Sequence, residues 1–323
     1  MNKVLAVALN TFREAVRNKI LYFLLLFSML IIGFSTFLSD LSINEAQNKL
    51  IKDIGLSSID FIGFLIAVLV GINLIYNEIE RRTIYTIVSK PIDRPQFIWG
   101  KYIGLLITVY VNVLIMSIVF FSVLYFRDST APDAIQKHFQ DAGETVTSSS
   151  FAYYWFHVKA LFISAGKGIA TIFGYSEQIT HHLMRVVGMS MISLAVITAF
   201  AILYSTFATP TLSAVYTFLT FIIGTMCNDI VRYADTIAKN ANGVENLVGV
   251  AYLKYKLVWL GALLVPNLEL FNKRRDAVYG MWDVMENPIP NVPIDGVTIA
   301  YGIVYAIGVM CLACLVFNRR NFK

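Results

Sequence analysis

The chain has 323 residues, 57% of them hydrophobic and 15% charged, with a net charge of +5 and a mean hydropathy of +0.65. Soluble domains carry about 25% charged residues, and a globular core does not bury this much apolar surface, so lipid must be the solvent for much of the chain. The composition thus excludes a soluble globular protein, and the positive charge fits basic cytoplasmic loops rather than a nucleic-acid partner.

Residues 1–19 read as an amphipathic helix lying in the headgroup plane. Leu5, Leu9, Phe12 and Val16 recur at helical spacing, and Asn10, Arg13, Glu14 and Arg17 face away. An ordinary cytoplasmic helix fits the same pattern. The segment lacks the continuous apolar core of a signal peptide, so the first apolar run is expected to stay as a span.

A bilayer-crossing helix needs about 20 mainly apolar residues. Six segments meet this: Ile20–Leu38, Ser57–Tyr76, Tyr102–Phe126, Val186–Phe207, Leu212–Ile230 and Val297–Phe317. The expected fold is therefore all-α: a polytopic integral membrane protein of six transmembrane helices forming one domain over residues 1–323. Basic residues cluster before the first span (Lys3, Arg13, Arg17, Lys19), after the second (Arg81, Arg82, Lys90, Arg94, Lys101) and after the last (Arg319, Arg320, Lys323). The positive-inside rule then places both termini and the 77–101 loop in the cytoplasm, with long outer loops over 127–185 and 231–296.

The outer loops carry their own signals. Phe151–Phe156 reads FAYYWF, and residues 151–174 are expected to form a helix on the outer surface. Leu257–Val265 is apolar but too short to span, which suits a re-entrant or interfacial segment; a seventh span over 251–271 stays open as the alternative. Cys227, Cys311 and Cys314 lie in or beside spans and imply no disulfide framework. Cys311 and Cys314, and the adjacent His181 and His182, are incomplete as metal sets, so no metal is expected. Asn73, Asn112, Ser190, Ser193, Thr198 and Thr220 are polar positions inside spans, suited to interhelical hydrogen bonds. No Asp, Glu, Lys or Arg is expected deep in a span, which argues against a proton relay.

The 77–101 loop is the most informative stretch. Glu78, Glu80, Arg81 and Arg82 fix where the second span leaves the hydrocarbon. Ile84, Ile87 and Val88 then sit at i, i+3 and i+4, giving a short helix an apolar stripe, and Pro91 ends it. Asp93 and Pro95 suit the start of the third span. A stripe with no place inside the membrane calls for a partner's groove.

This segment, EIERRTIYTIVSKPIDRPQFIWGKYIGL, resembles the first cytoplasmic loop of type-2 ABC exporter permeases. The pattern is an acidic pair (Glu78, Glu80), Arg82-Thr83, the apolar helix Ile84–Val88, Pro91, Arg94 and Gly100-Lys101. Asn10–Tyr22, Leu203–Val215 and Leu263–Asn272 are similar to further segments of that family, in the same order. The resemblance implies a transmembrane half of an ATP-driven exporter working by alternating access. It would pair with a second permease as a homodimer or heterodimer in the cell membrane and dock on a cytoplasmic ABC ATPase. Its pathway would be lined by spans one, two and five. ATP and magnesium would bind the partner, and this chain would hold no cofactor and no catalytic residue. The coupling helix would be about Thr83–Val88, with Glu78, Glu80 and Arg82 bracing its hinge to the second span and Arg94 belonging to the same ATPase-coupling set.

The chain has no G-x-x-x-x-G-K-[ST] motif, so it is not expected to hydrolyse ATP alone. It also lacks an H-E-x-x-H motif, which leaves an intramembrane enzyme with little support. A membrane scaffold passing ATPase-driven movement to an outer partner, without substrate flux, remains the alternative.

Overall fold

A computed structural model describes residues 3–41, 47–80, 93–130, 151–172, 178–240, 250–279 and 294–319, and every described element is helical. In chain order these are α1 (Lys3–Val16), α2 (Lys19–Asp40), α3 (Gln47–Glu80), α4 (Arg94–Ser129), α5 (Phe151–Ile172), α6 (Gln178–Ser205), α7 (Pro210–Thr225), α8 (Cys227–Asn240) and α9 (Val250–Leu264). A 3-10 turn (Leu268–Phe271), α10 (Arg274–Tyr279) and α11 (Ile294–Arg319) complete the fold.

Five helices are long and apolar enough to cross a membrane: α2, α3, α4, α6 and α11. There are six such spans if the bent pair α7–α8 counts as one. Helices α3 and α6 form the centre, with 67% and 78% of their apolar windows buried, against 28% for α2 and α11. The core is built on Ile59, Ile62, Phe64 and Ile66 of α3 and on Val196, Ile197 and Ile202 of α6, facing Val109, Val113 and Met116 of α4. The outer helices turn large side chains such as Phe23, Phe34, Val304 and Leu315 outward, as lipid-facing surfaces do.

Three elements differ from the sequence reading. Helix α3 starts ten residues before Ser57 and runs past Tyr76 to Glu80. At ~1.5 Å per residue its 34 residues reach about 50 Å, well beyond a hydrocarbon core of about 30 Å. The polar positions Gln47, Lys49, Lys52 and Asp53 lie on that extension, and hydropathy alone cuts such turns off.

The fifth span is not straight, since α7 and α8 meet at 60° around Met226. The Thr225 hydroxyl donates to the Ile222 carbonyl at 2.9 Å, in competition with the backbone ladder. A Cβ on Gly224 would meet the Pro266 carbonyl at 2.8 Å, so another chain segment presses on the bend. Both are recognised causes of helix bending.

Helix α5 runs against α4 instead of lying across the surface alone. Its buried positions, Ala160, Ser164, Gly168 and Thr171, form a stripe of small residues, which lets backbones approach closely. A Cβ at Gly168 would sit 2.8 Å from the Ile118 carbonyl, and Thr171 donates to the Tyr125 hydroxyl at 3.2 Å.

Helix α9 packs back along α8. Its 15 residues cover about 22 Å, too short to span. The turn that follows is well anchored. Asn267 caps it by accepting from the Glu269 amide, and its side chain donates to Asn228 at 2.7 Å. The Asn267 amide donates to the Tyr301 hydroxyl of α11 at 3.1 Å.

Candidate functional site

The 81–92 segment hangs between the C-terminus of α3 and the N-terminus of α4. Glu78 and Glu80 close α3 as helical backbone, with their side chains outside the described set. Arg82, Thr83, Ile84, Ile87 and Val88 lie outside the described residues. Arg94 opens α4, after Asp93 in extended backbone and before Pro95, and its Nη1 donates to the Asn318 carbonyl of α11 at 3.0 Å. Of the expected coupling residues, Arg94 is thus the one whose side-chain contact is described, and that contact is to the bundle.

The N-terminus of α4 also carries α1. Gly100 and Gly104, four residues apart, let the two backbones meet: a Cβ at Gly104 would lie 2.5 Å from the Ala8 carbonyl, and one at Gly100 2.6 Å from Val7. Between them Lys101 is 2% exposed, and its Nζ lies 3.6 Å from Glu14 Oε2 and 5.8 Å from the centre of the Phe97 ring. Phe97 stacks on Phe317 of α11 at 6.2 Å. One end of the bundle therefore gathers α1, α4 and α11 into a platform beside the loop. At the far end of α4, Arg127 pairs with Asp40 at 2.6 Å and donates to Gln47 Oε1 at 3.1 Å, tying α2, α3 and α4 together.

A second feature lies between α3, α6, α7 and the 3-10 turn: a cavity of about 250 Å³. Polar groups come from Asp60, Ser190 and Ser193, and rings from Phe61, Phe221 and Phe271. Asp60 lies about three and a half turns inside α3 and in the first turn of the second span as expected from Ser57 onward. Its carboxylate accepts a hydrogen bond from Ser190. Arg274 of α10 lines the same cavity, pairs with Asp53 at 2.9 Å and donates to the Ser57 hydroxyl.

The other polar positions expected to bond between helices bond mostly within their own, because a carbonyl one turn back is always in reach. Asn73, Asn112 and Thr198 donate to carbonyls of their own helices, while Thr220 bonds both its own helix and Tyr204 of α6. Cys311 is exposed and Cys314 half-buried on α11. Among the described residues, no three His, Cys, Asp or Glu side chains are grouped to hold a metal.

Sequence reasoning missed Glu14, Lys101, Asp60 and Arg274 as partners. Asp60 was visible as a lone carboxylate within an apolar run, but its Ser190 and Arg274 neighbours are brought to it only by the fold.

Residues 5–322 match the family described as ABC-2 family transporter protein. The chain belongs to the ABC-2 transporter family. Compared with the curated proteins, it shows no significant match. As an ABC-2 permease it is a multi-pass membrane subunit, the transmembrane component of an ABC transporter, and membership implies a partner ABC ATPase. In this permease the helical platform of α1, α4 and α11 begins at Arg94, the first residue of α4.

Proposed function

We propose that this permease is the membrane half of an ATP-driven exporter, with the 77–101 loop as its cytoplasmic coupling element. What supports the reading is the family match over 5–322 together with the position of the loop. It joins α3, a central helix, to α4, which is clamped to α1 and α11. Force applied between Glu80 and Asp93 would reach the bundle through two helices of about 50 Å each, both longer than the bilayer core.

In this account Thr83–Val88 docks by Ile84, Ile87 and Val88 in a groove of the ATPase. Glu78, Glu80, Arg82 and Arg94 hold the angle between that helix and the spans. Closure of the ATPase pair on ATP and magnesium shifts α3 relative to α4 and alternates access to a pathway in a permease dimer. Both termini are cytoplasmic, and cargo moves outward.

The test is reconstitution of the permease with its ATPase in proteoliposomes. Ile84→Asp and Ile87→Asp place a carboxylate on the docking stripe, so each should lower ATP-dependent transport at least ~10-fold while the protein still inserts, because a charge buried in an apolar interface costs several kcal/mol. Unchanged coupling in both variants would remove Thr83–Val88 from this role.

A further inference from the structure

We propose that the cavity between α3, α6, α7 and the 3-10 turn binds a cationic ammonium headgroup, with Asp60 as its counter-ion. As a cargo-recognition site it rests on the transporter reading above; as a binding site it does not.

The argument starts from charge. Two carboxylates, Asp53 and Asp60, and one guanidinium, Arg274, meet at this site. Arg274 is held by Asp53 at 2.9 Å and by the Ser57 hydroxyl, both on the first turns of α3. The other carboxylate is Asp60, which accepts from the neutral Ser190 of α6 and shares the field of Arg274 with Asp53. Asp53, Asp60 and Arg274 together carry one negative charge, and Asp60 sits among apolar side chains, where a carboxylate is costly and rarely kept without a role.

The walls supply the second argument. Phe61, Phe221 and Phe271 line the same cavity from three different elements. A carboxylate with aromatic faces around it is the chemistry that recognises alkylammonium groups, through a full charge and through ring quadrupoles. Ser193 adds a neutral hydroxyl without competing charge. A metal ion would need more hard oxygen or nitrogen ligands than this site gathers.

Size and access agree. About 250 Å³ is below the ~300–1,000 Å³ of pockets that enclose a whole drug-sized ligand, so the cavity suits a headgroup whose tail lies elsewhere. Phe61 is 48% exposed, and Thr225 and Asn272 are exposed at the rim, which opens the cavity toward the outside of the bundle. Lipid-facing side chains Phe218 and Ile222 of α7 flank that rim and offer a path for an apolar tail.

The site is also placed to sense movement. Its walls include the α7–α8 bend at Thr225, and its floor is α3, the helix that continues to Glu80. A ligand held by α3 on one side and α7 on the other has different contacts whenever those helices separate, which is the requirement for coupling binding to a conformational change.

The test is calorimetric titration of the full permease in lipid nanodiscs, corrected by empty discs, with hexyltrimethylammonium, hexanol and hexyl sulfate. The ammonium should bind saturably and at least ~10-fold more tightly than the other two. Asp60→Asn, nearly isosteric, should bring the ammonium down to the level of hexanol, and Ser193→Leu, which fills the cavity, should abolish binding. Should Asp60→Asn fail to insert, Ser193→Leu and the wild-type preference still decide. Equal affinity for the three probes, or ammonium binding unchanged by either variant, would overturn the proposal. An ATPase that still copurifies in that event would leave the transporter reading standing, whereas ammonium binding without any ATPase partner would do the reverse.

Discussion

Lys101 illustrates how one residue joins sequence pattern to packing. A lysine that is 2% exposed in the first turns of a membrane helix must have its charge met, and Glu14 of α1 supplies a carboxylate at 3.6 Å. Glu14 itself is 41% exposed, so water screens part of the attraction and the pair contributes only about 1 kcal/mol. Its larger effect is to fix the register of α1 on α4. Glu14→Gln leaves the buried ammonium without that carboxylate and should lower the melting temperature and expose α1 to protease. Adding Lys101→Met, which keeps an apolar stem and removes the charge, should restore most of the loss, because removing one partner of a buried pair costs more than replacing both. Fluorescence melting of the detergent-solubilised variants checks this; a double variant no better than Glu14→Gln would assign Lys101 to other contacts.

At the scale of elements, helices dock where small residues let backbones meet, and this decided what the sequence could disclose. The apolar stripe of α1 was legible, yet Leu5 and Leu9 are 48% and 41% exposed, while Ala8, Thr11 and Ala15 are the buried side. Periodicity found the exposed apolar stripe; the packing face is small-residue against Gly100 and Gly104, and hydropathy assigns such positions little weight. The same reason hid the docking of α5, which uses Ala160, Ser164 and Gly168. The bend at Met226 was hidden because one of its causes, the approach of Pro266 to Gly224, comes from a segment forty residues away, and the other, Thr225 bonding back to Ile222, does not by itself mark a bend in the sequence. Gly104→Val should therefore act on α1 and α4 together. Its side chain would collide with the Ala8 carbonyl, which cannot yield as a flexible side chain does, costing about 1–3 kcal/mol. Protease cleavage within α1 should rise sharply in Gly104→Val; unchanged protection would contradict the close approach.

For the whole molecule, the spans and their order were readable because apolar runs of about 20 residues have few other uses. The candidate sites were less so. The loop motifs carry a coupling region only as an expectation from family resemblance, while the cavity exists only where α3, α6, α7 and the turn after α9 converge, from residues more than two hundred positions apart such as Ser57 and Arg274. Helix α3 thus has two regions of interest: its end, where the proposed coupling segment begins, and an internal stretch that lines a cavity. The permease provides no P-loop of its own, so the account depends on an external motor. Affinity purification of the tagged full-length permease from native membranes, followed by mass spectrometry, tests this most directly. The account predicts a stoichiometric ABC ATPase bearing a P-loop, lost in Ile87→Asp; a pure, intact permease that brings down no such ATPase would contradict it.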